Sequence, residues 1–138
     1  MAVLTSAEVN EQADLVYIRG TYFVALTLQT VTDYDSGVTL STIENDEVTA
    51  GNGGYARLSY AYTAADLLTY ANGQPLSGKV ATFVHDGSST DITFNHVVLL
   101  RDVSGTVSVI GFQKLSEIIT LTNSTSVEIN VGILHGVA

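Results

Sequence analysis

The 138-residue sequence contains no cysteine, no tryptophan and only one proline. The absence of cysteine excludes a disulfide framework and any thiolate metal site. Basic residues are also scarce, because 5 Lys and Arg stand against 14 Asp and Glu and give a net charge of −9. Proteins bind phosphate backbones and anionic lipid surfaces through clustered Lys and Arg, so this composition argues against nucleic acid and membranes as partners.

Long apolar runs and a basic leader are absent as well. The N-terminal sequence "MAVLTSAEVNEQ" has neither a basic region nor an apolar core, so we expect no signal peptide. No apolar stretch approaches the ~20 residues that span a bilayer. Without a secretory signal, we interpret Asn123-Ser124-Thr125 as a polar turn rather than a glycosylation acceptor. The chain is 46% hydrophobic and only 14% charged, which predicts a folded domain, and its length predicts a single domain over residues 1–138.

Alternation with a period of two residues runs through most of the sequence. We interpret "TYFVALTLQT" as a half-buried strand, and we predict further strands in "YARLSYAYT", "KVATFVH", "DITFNHVVLL", "TVSVIGFQKL", "EIITLTN" and "SVEINVGIL". Turn sequences separate these runs, and "RDVSGT" predicts a hairpin in which Asp102 bonds nearby backbone and Gly105 takes a positive φ. The pattern therefore predicts an all-β domain, an antiparallel β-sandwich or jelly-roll-like fold with one or two short helices.

Helical signals occur in two places. "TSAEVNEQADLV", with Ser6 as the N-cap, predicts a helix or arm within residues 1–18, and "TAADLLTYANG" has Thr63 as the cap with Asp66 three residues later. The segment from Asp33 to Gly54 is predicted to be a long loop with few apolar anchors, which a neighbouring molecule would order.

The stretch "GNGGYARLSY" allows two interpretations. Gly51, Gly53 and Ala56 formally fit the dinucleotide fingerprint G-x-G-x-x-A. That fingerprint works between a strand and a helix, because the helix N-terminus holds the pyrophosphate. Here the glycines follow the acidic segment "IENDEV" and precede a predicted strand. We therefore predict a structural turn that leads into a strand and binds no nucleotide.

Metal-binding and catalytic patterns are weak. The three histidines, His85, His96 and His135, lack close ligand spacing such as H-x-H, although a metal site could in principle combine them with Asp86. Asp33 and Asp35 resemble the start of a calcium loop, but the later ligands are missing, which favours a solvated turn. No Ser lies in a G-x-S-x-G elbow, and no acid–base pair stands out; the neighbours Asp46 and Glu47 lie on a predicted loop. We expect no enzyme activity, no cofactor and no metal.

Tyrosine is the one prominent side chain, with seven copies, four of which cluster within "YARLSYAYTAADLLTY". Tyrosine offers a large contact area with a polar tip, which suits protein interfaces and sugar-binding faces. Tyr60 and Tyr62 suit a strand core equally well. The residues we predict at an interface are Tyr34, Asp35, Tyr55, Arg57 and Tyr70.

Five stretches are distributed over most of the length of the chain in a fixed order, namely "TYFVALTLQT", "GYAR", "VATFVHDGSSTDITFNHVVLLRD", "SGTVSVIGFQKL" and "STSVEINVGIL". In that order they resemble small virion structural proteins of tailed bacteriophages, the tail-fibre, minor-tail and head-decoration proteins. The "GYAR" and "NHVVLLRD…G" elements carry most of the resemblance.

This resemblance implies a β-sandwich building block without a reaction. It implies a capsid decoration or cement protein in the virion, bound to the major capsid protein and to copies of itself, most simply as a trimer. The alternative is a tail-fibre or tail-tip module that binds host-surface carbohydrate through exposed tyrosines and loop carboxylates. An enzyme is the third and weakest class.

Overall fold

A computed structural model describes residues 20–61 and 76–133 of the chain. Their elements are β1 (Thr21–Thr27), helix α1 (Leu40–Asp46), a 3-10 turn (Asn52–Gly54), β2 (Leu58–Tyr60), β3 (Leu76–Val84), β4 (Ile92–Val103), β5 (Thr106–Leu121) and β6 (Ser126–Ile133). The helices predicted near Ser6 and Thr63, and the residues Tyr62, Tyr70 and His135, lie outside the described residues.

The described strands form two antiparallel sheets. One has four strands in the order β2-β1-β4-β5, and the other pairs β3 with β6. An antiparallel, mostly β chain with a short helix was predicted, and this coarse class is confirmed. The short connection between β4 and β5 is also as predicted. Val103 pairs with Thr106 across Ser104 and Gly105, which both have positive φ, and Asp102 Oδ1 accepts the Gly105 amide at 2.8 Å.

Strand β1 is an inner strand of the four-stranded sheet and, after the exposed Thr21, is largely buried on both faces, so the expectation of a half-buried strand was wrong. Val24 and Leu26 face an apolar cluster that includes Phe83 of β3. Ala25 faces a second cluster that contains Ile43 of α1. The second face is covered because the segment after β1 folds back over the sheet.

Strand β5 joins two sequence runs that we had predicted as separate strands. Its pairing with β4 is interrupted twice. Ile110 is an extra residue between the pairs Leu100–Val109 and Leu99–Gly111, and residues 115–118 lie opposite the single residue Asn95. Each β-bulge changes which side chains point inward. The period-two pattern is therefore broken although the strand continues.

The expectation that the segment from Asp33 to Gly54 is a long loop ordered only by a neighbouring molecule was wrong. The segment contains α1, which begins after the N-cap Thr39 and buries Ile43 completely. Tyr34 packs beside Ile43 in the same cluster. These side chains supply the apolar anchors that the sequence pattern did not reveal.

Candidate functional site

The predicted interface residues that the structure describes all lie within one segment, residues 29–57, which we call the strap. Tyr34 and Tyr55 are buried, with 9% and 4% of their surface exposed, so their rings contribute to the fold. Asp35 is exposed, and the side chain of Arg57 is 27% exposed. Tyr70 lies outside the described residues. The interface role of these five residues stays a prediction.

Tyr55 extends the hydrogen bonding of β1 beyond the short strand β2. The β1–β2 ladder ends at the pair Val24–Leu58, which leaves Leu26 without a strand partner on that side. The Tyr55 hydroxyl accepts the Leu26 amide at 3.0 Å, and Val48 donates its amide to the Leu26 carbonyl at 3.0 Å. A buried backbone group without a partner is costly, so these contacts complete the central strand.

The same hydroxyl donates to Oε1 of Glu47 at 2.8 Å. Glu47 is also held by Arg57, whose Nε and Nη2 donate to its two carboxylate oxygens at 2.8 and 2.6 Å. The two-pronged geometry is the strong form of a charged hydrogen bond. The hydrogen bond to Glu47 raises the pKa of Arg57, and burial raises the pKa of Tyr55 well above its ordinary value. Arg57 therefore stays charged and the phenol stays neutral.

An open groove of about 650 Å³ lies beside this ion pair. Arg57 stands between Glu47 and the more exposed Glu44, whose Oε1 is 3.7 Å away. The groove wall combines these charges with small side chains and one amide: Glu44, Asn45, Glu47, Val48, Thr49, Ala50, Tyr55, Ala56 and Arg57. The surface is of mixed polarity and accessible, but the buried Tyr55 offers it no exposed aromatic platform.

Tyr34 anchors the other end of the strap. Its hydroxyl donates to Oδ2 of Asp46 at 2.8 Å and lies 3.1 Å from Oγ1 of Thr27 in β1. Burial raises the pKa of Tyr34 to about 12. Asp46 and Glu47, adjacent in the sequence, thus serve different clusters, because Asp46 ends α1 while Glu47 bridges to Thr27 in extended conformation.

His96 and Asn95 join the strap to β4 at the point where β5 bulges. Asn95 accepts the Gln29 amide at 2.9 Å on Oδ1 and donates from Nδ2 to the Gln29 carbonyl at 2.7 Å. The same Oδ1 lies 2.7 Å from Nδ1 of His96, which must therefore carry the proton. Nε2 of His96 is buried and has no hydrogen-bond partner. Sequence reasoning missed this cluster because nothing in "NHVV" distinguishes it from an ordinary strand.

The glycine turn leads into β2, as predicted. Gly53 has a φ of 56°, and a Cβ there would lie 2.5 Å from Cδ2 of His85. The Gly53 carbonyl accepts the Asp86 amide at 2.9 Å. His85 is itself fixed, because Nδ1 accepts from Gly87 at 3.0 Å and Nε2 lies 2.8 Å from the Thr90 carbonyl. The glycines allow the turn to lie against this ring.

The carboxylates of the "DYDSG" sequence are engaged within the chain. Asp33 forms an ion pair with Lys114 at 2.5 Å, and Asp35 Oδ1 accepts the Gly37 amide at 2.7 Å, which makes the turn that we predicted. Among residues 20–61 and 76–133, no three His, Asp or Glu side chains are grouped closely enough to hold a metal ion. No helix in this part of the chain is long and apolar enough to cross a bilayer.

No protein family, no curated protein and no solved structure matches this chain.

Proposed function

We propose that this protein is a non-enzymatic structural protein of a tailed-phage virion, a decoration or cement protein of the head shell. In this proposal it binds the major capsid protein and further copies of itself, as a trimer, and the two sheets pack face to face as a β-sandwich. The observation that carries the proposal is the strap, an exposed segment held in one conformation by its own buried anchors.

A rigid surface suits a cement protein. Docking loses less conformational entropy when the docking segment is already ordered in the free protein. Tyr34, Tyr55 and Ile43 fix the strap from beneath, while Asp35 and Glu44 remain on its outer side. Binding to the assembled shell and not to free subunits then stabilises the shell by mass action.

The strap also carries an apolar contact point. Val31 is 87% exposed, more than any other large hydrophobic side chain in the described residues. An apolar side chain surrounded by polar groups gains most when a partner covers it. We therefore place Val31 and Asp35 at the centre of the contact with the shell.

The test mixes the purified full chain with capsids that lack it and measures co-sedimentation and the melting temperature of the shell. We expect saturable binding and a higher shell melting temperature. Val31→Asp and Asp35→Lys should each weaken binding at least about tenfold, the equivalent of about 1.4 kcal/mol. Val84→Asp and Glu128→Lys, on the exposed face of the other sheet, are the matched controls and should bind as the wild type does.

The groove beside Arg57 favours a second candidate, a tail-tip module that binds host-surface carbohydrate. Carboxylate, amide and guanidinium groups can all bond sugar hydroxyls, and Glu44 and Asn45 stand on the groove wall. Saturable binding of a host polysaccharide that is lost in Asn45→Ala, together with failure to bind shells, would replace the first proposal with this one.

A further inference from the structure

Nε2 of His96 is the one imidazole nitrogen in the described residues that is buried and lacks a partner. Most buried polar atoms in folded proteins are paired, so an exception calls for a physical explanation. The neutral ring tolerates this position, since it loses only one acceptor interaction. A protonated ring would carry a second N–H and a full charge with no acceptor at Nε2.

The side chains around His96 belong to the strap, to β5 and to the end of α1. The Tyr34 ring covers it at a centroid distance of 4.6 Å, and Phe112 of β5 packs edge-on against Tyr34 at 5.6 Å. The charged groups that act on His96 are Lys114, its pairing partner on β5, Asp33 on the strap and Asp46 at the end of α1. Asp33 is paired with Lys114, and Asp46 already accepts from Tyr34 and Gln29. In the closed strap both carboxylates are engaged by other donors, and neither is hydrogen-bonded to Nε2.

We propose that His96 is a pH-sensitive switch for the strap. Protonation of its ring detaches Tyr34 and Gln29 from the sheet. The ring of Tyr34 lies against the His96 ring, and in this proposal it is the group that keeps water from Nε2. Lifting it allows water to reach the imidazolium without breaking any pair of the β1–β4 ladder. The opening is therefore local, because only contacts between the strap and the sheet are lost.

The electrostatics set the direction of the effect. Burial lowers the pKa of His96 below its ordinary value, Lys114 lowers it further, and Asp33 and Asp46 oppose this shift. A lowered folded-state pKa means that the closed form binds the proton less well than the open form. The closed strap is fully stable above the ordinary imidazole pKa of about 6.5 and loses stability as the pH falls from there toward the folded pKa.

The pH switch matters biologically if the proposed function holds, since the strap is the proposed shell-docking surface. Its test uses the free protein and needs no shell. The full chain is studied by amide hydrogen exchange at about pH 7.5 and about pH 5, with rates corrected for intrinsic exchange. We expect the protection of the Leu28 and Gln29 amides to fall at least about tenfold at the lower pH, while the amides of Val24 and Ala25 keep theirs. His96→Phe should abolish the pH dependence, and His135→Asn, the matched control, should retain it.

Nuclear magnetic resonance on the wild type keeps the proposal testable if His96→Phe does not fold. The His96 Cε1–H signal should titrate with the same midpoint as the loss of protection at Gln29. Equal protection of the strap at both pH values overturns the proposal, as does a pH effect that persists in His96→Phe. Simultaneous loss of protection at Val24 overturns it too, because the opening would then be global. Shell binding that fails while this response is present would refute only the docking function.

Discussion

The hydroxyl of Tyr55 lies 2.8 Å from Oε1 of Glu47, and through this contact the glycine turn, the end of α1 and the central strand share one hydrogen-bond network. Tyr55 also stacks on Phe83 of β3 at a centroid distance of 5.9 Å. A single side chain thus links the four-stranded sheet, the strap and the second sheet.

Removal of this hydroxyl should destabilise the whole domain. Tyr55→Phe keeps the ring but leaves the Leu26 amide without its acceptor. An unsatisfied buried group costs about 1–3 kcal/mol, and we expect a loss of that size in the free energy of unfolding, measured by urea denaturation. Glu47→Gln completes a double-mutant cycle. Additive effects of the two substitutions would show that the contact contributes no coupling.

Substitutions at two glycines of the same turn distinguish the cost of a steric clash from the cost of a strained backbone conformation. Gly51 and Gly53 both have positive φ, at 90° and 56°, but a Cβ at Gly51 meets nothing within 4 Å while one at Gly53 meets the His85 ring. Gly51→Ala should cost about 1–2 kcal/mol for the backbone conformation alone. Gly53→Ala should cost about 1–3 kcal/mol more, because the ring must move. Equal unfolding free energies for the two variants would contradict the contact with His85.

The strands could be predicted because period two is a direct consequence of strand geometry, and "SVEINVGIL" alternates from Val127 to Ile129 as observed. Alternation fails where bulges shift the pattern, which is why the sequence predicts two strands where the structure has the single strand β5. The burial of both β1 faces depends on a helix that packs from elsewhere in the chain. Thr39 as the N-cap and the spacing of Leu40 and Ile43 were the available signals for that helix.

The polar contacts were less predictable than the strands. Asp46 and Glu47 are neighbours in the sequence, but Asp46 accepts a hydrogen bond from Tyr34 and Glu47 accepts one from Tyr55. They have different partners because α1 ends between them. His96 is placed against Asn95 and Tyr34 by the fold, and a single sequence contains no periodic signal for such contacts. The glycine turn was predictable, because its chemistry is local.

Three of the described tyrosines, Tyr22, Tyr34 and Tyr55, are buried, and alkaline titration should distinguish them from ordinary ones. Burial raises the pKa of Tyr34 to about 12 and raises that of Tyr55 as well. A raised pKa means that the neutral phenol stabilises the fold, and this stability is present below about pH 10 and is lost as the pH rises toward 12. We expect late tyrosinate absorbance that coincides with unfolding. Tyr34→Phe should remove one late-titrating group, and an early, reversible titration of all seven tyrosines would contradict the burial.

The β4–β5 turn offers a stabilising substitution. Ser104 has a φ of 53° and precedes Gly105, so the turn has the geometry for which Asn-Gly is the preferred pair. Ser104→Asn should raise the free energy of unfolding by several tenths to about 1 kcal/mol, because asparagine adopts positive φ at lower cost than serine. Ser104→Val, the opposite control, should lower it by about 1–2 kcal/mol, since a β-branched side chain is strained there. Both changes lie on an exposed turn and disturb no core packing, so the shifts in melting temperature report the backbone alone. A Ser104→Asn protein that melts below the wild type would show that the turn does not adopt this conformation in solution.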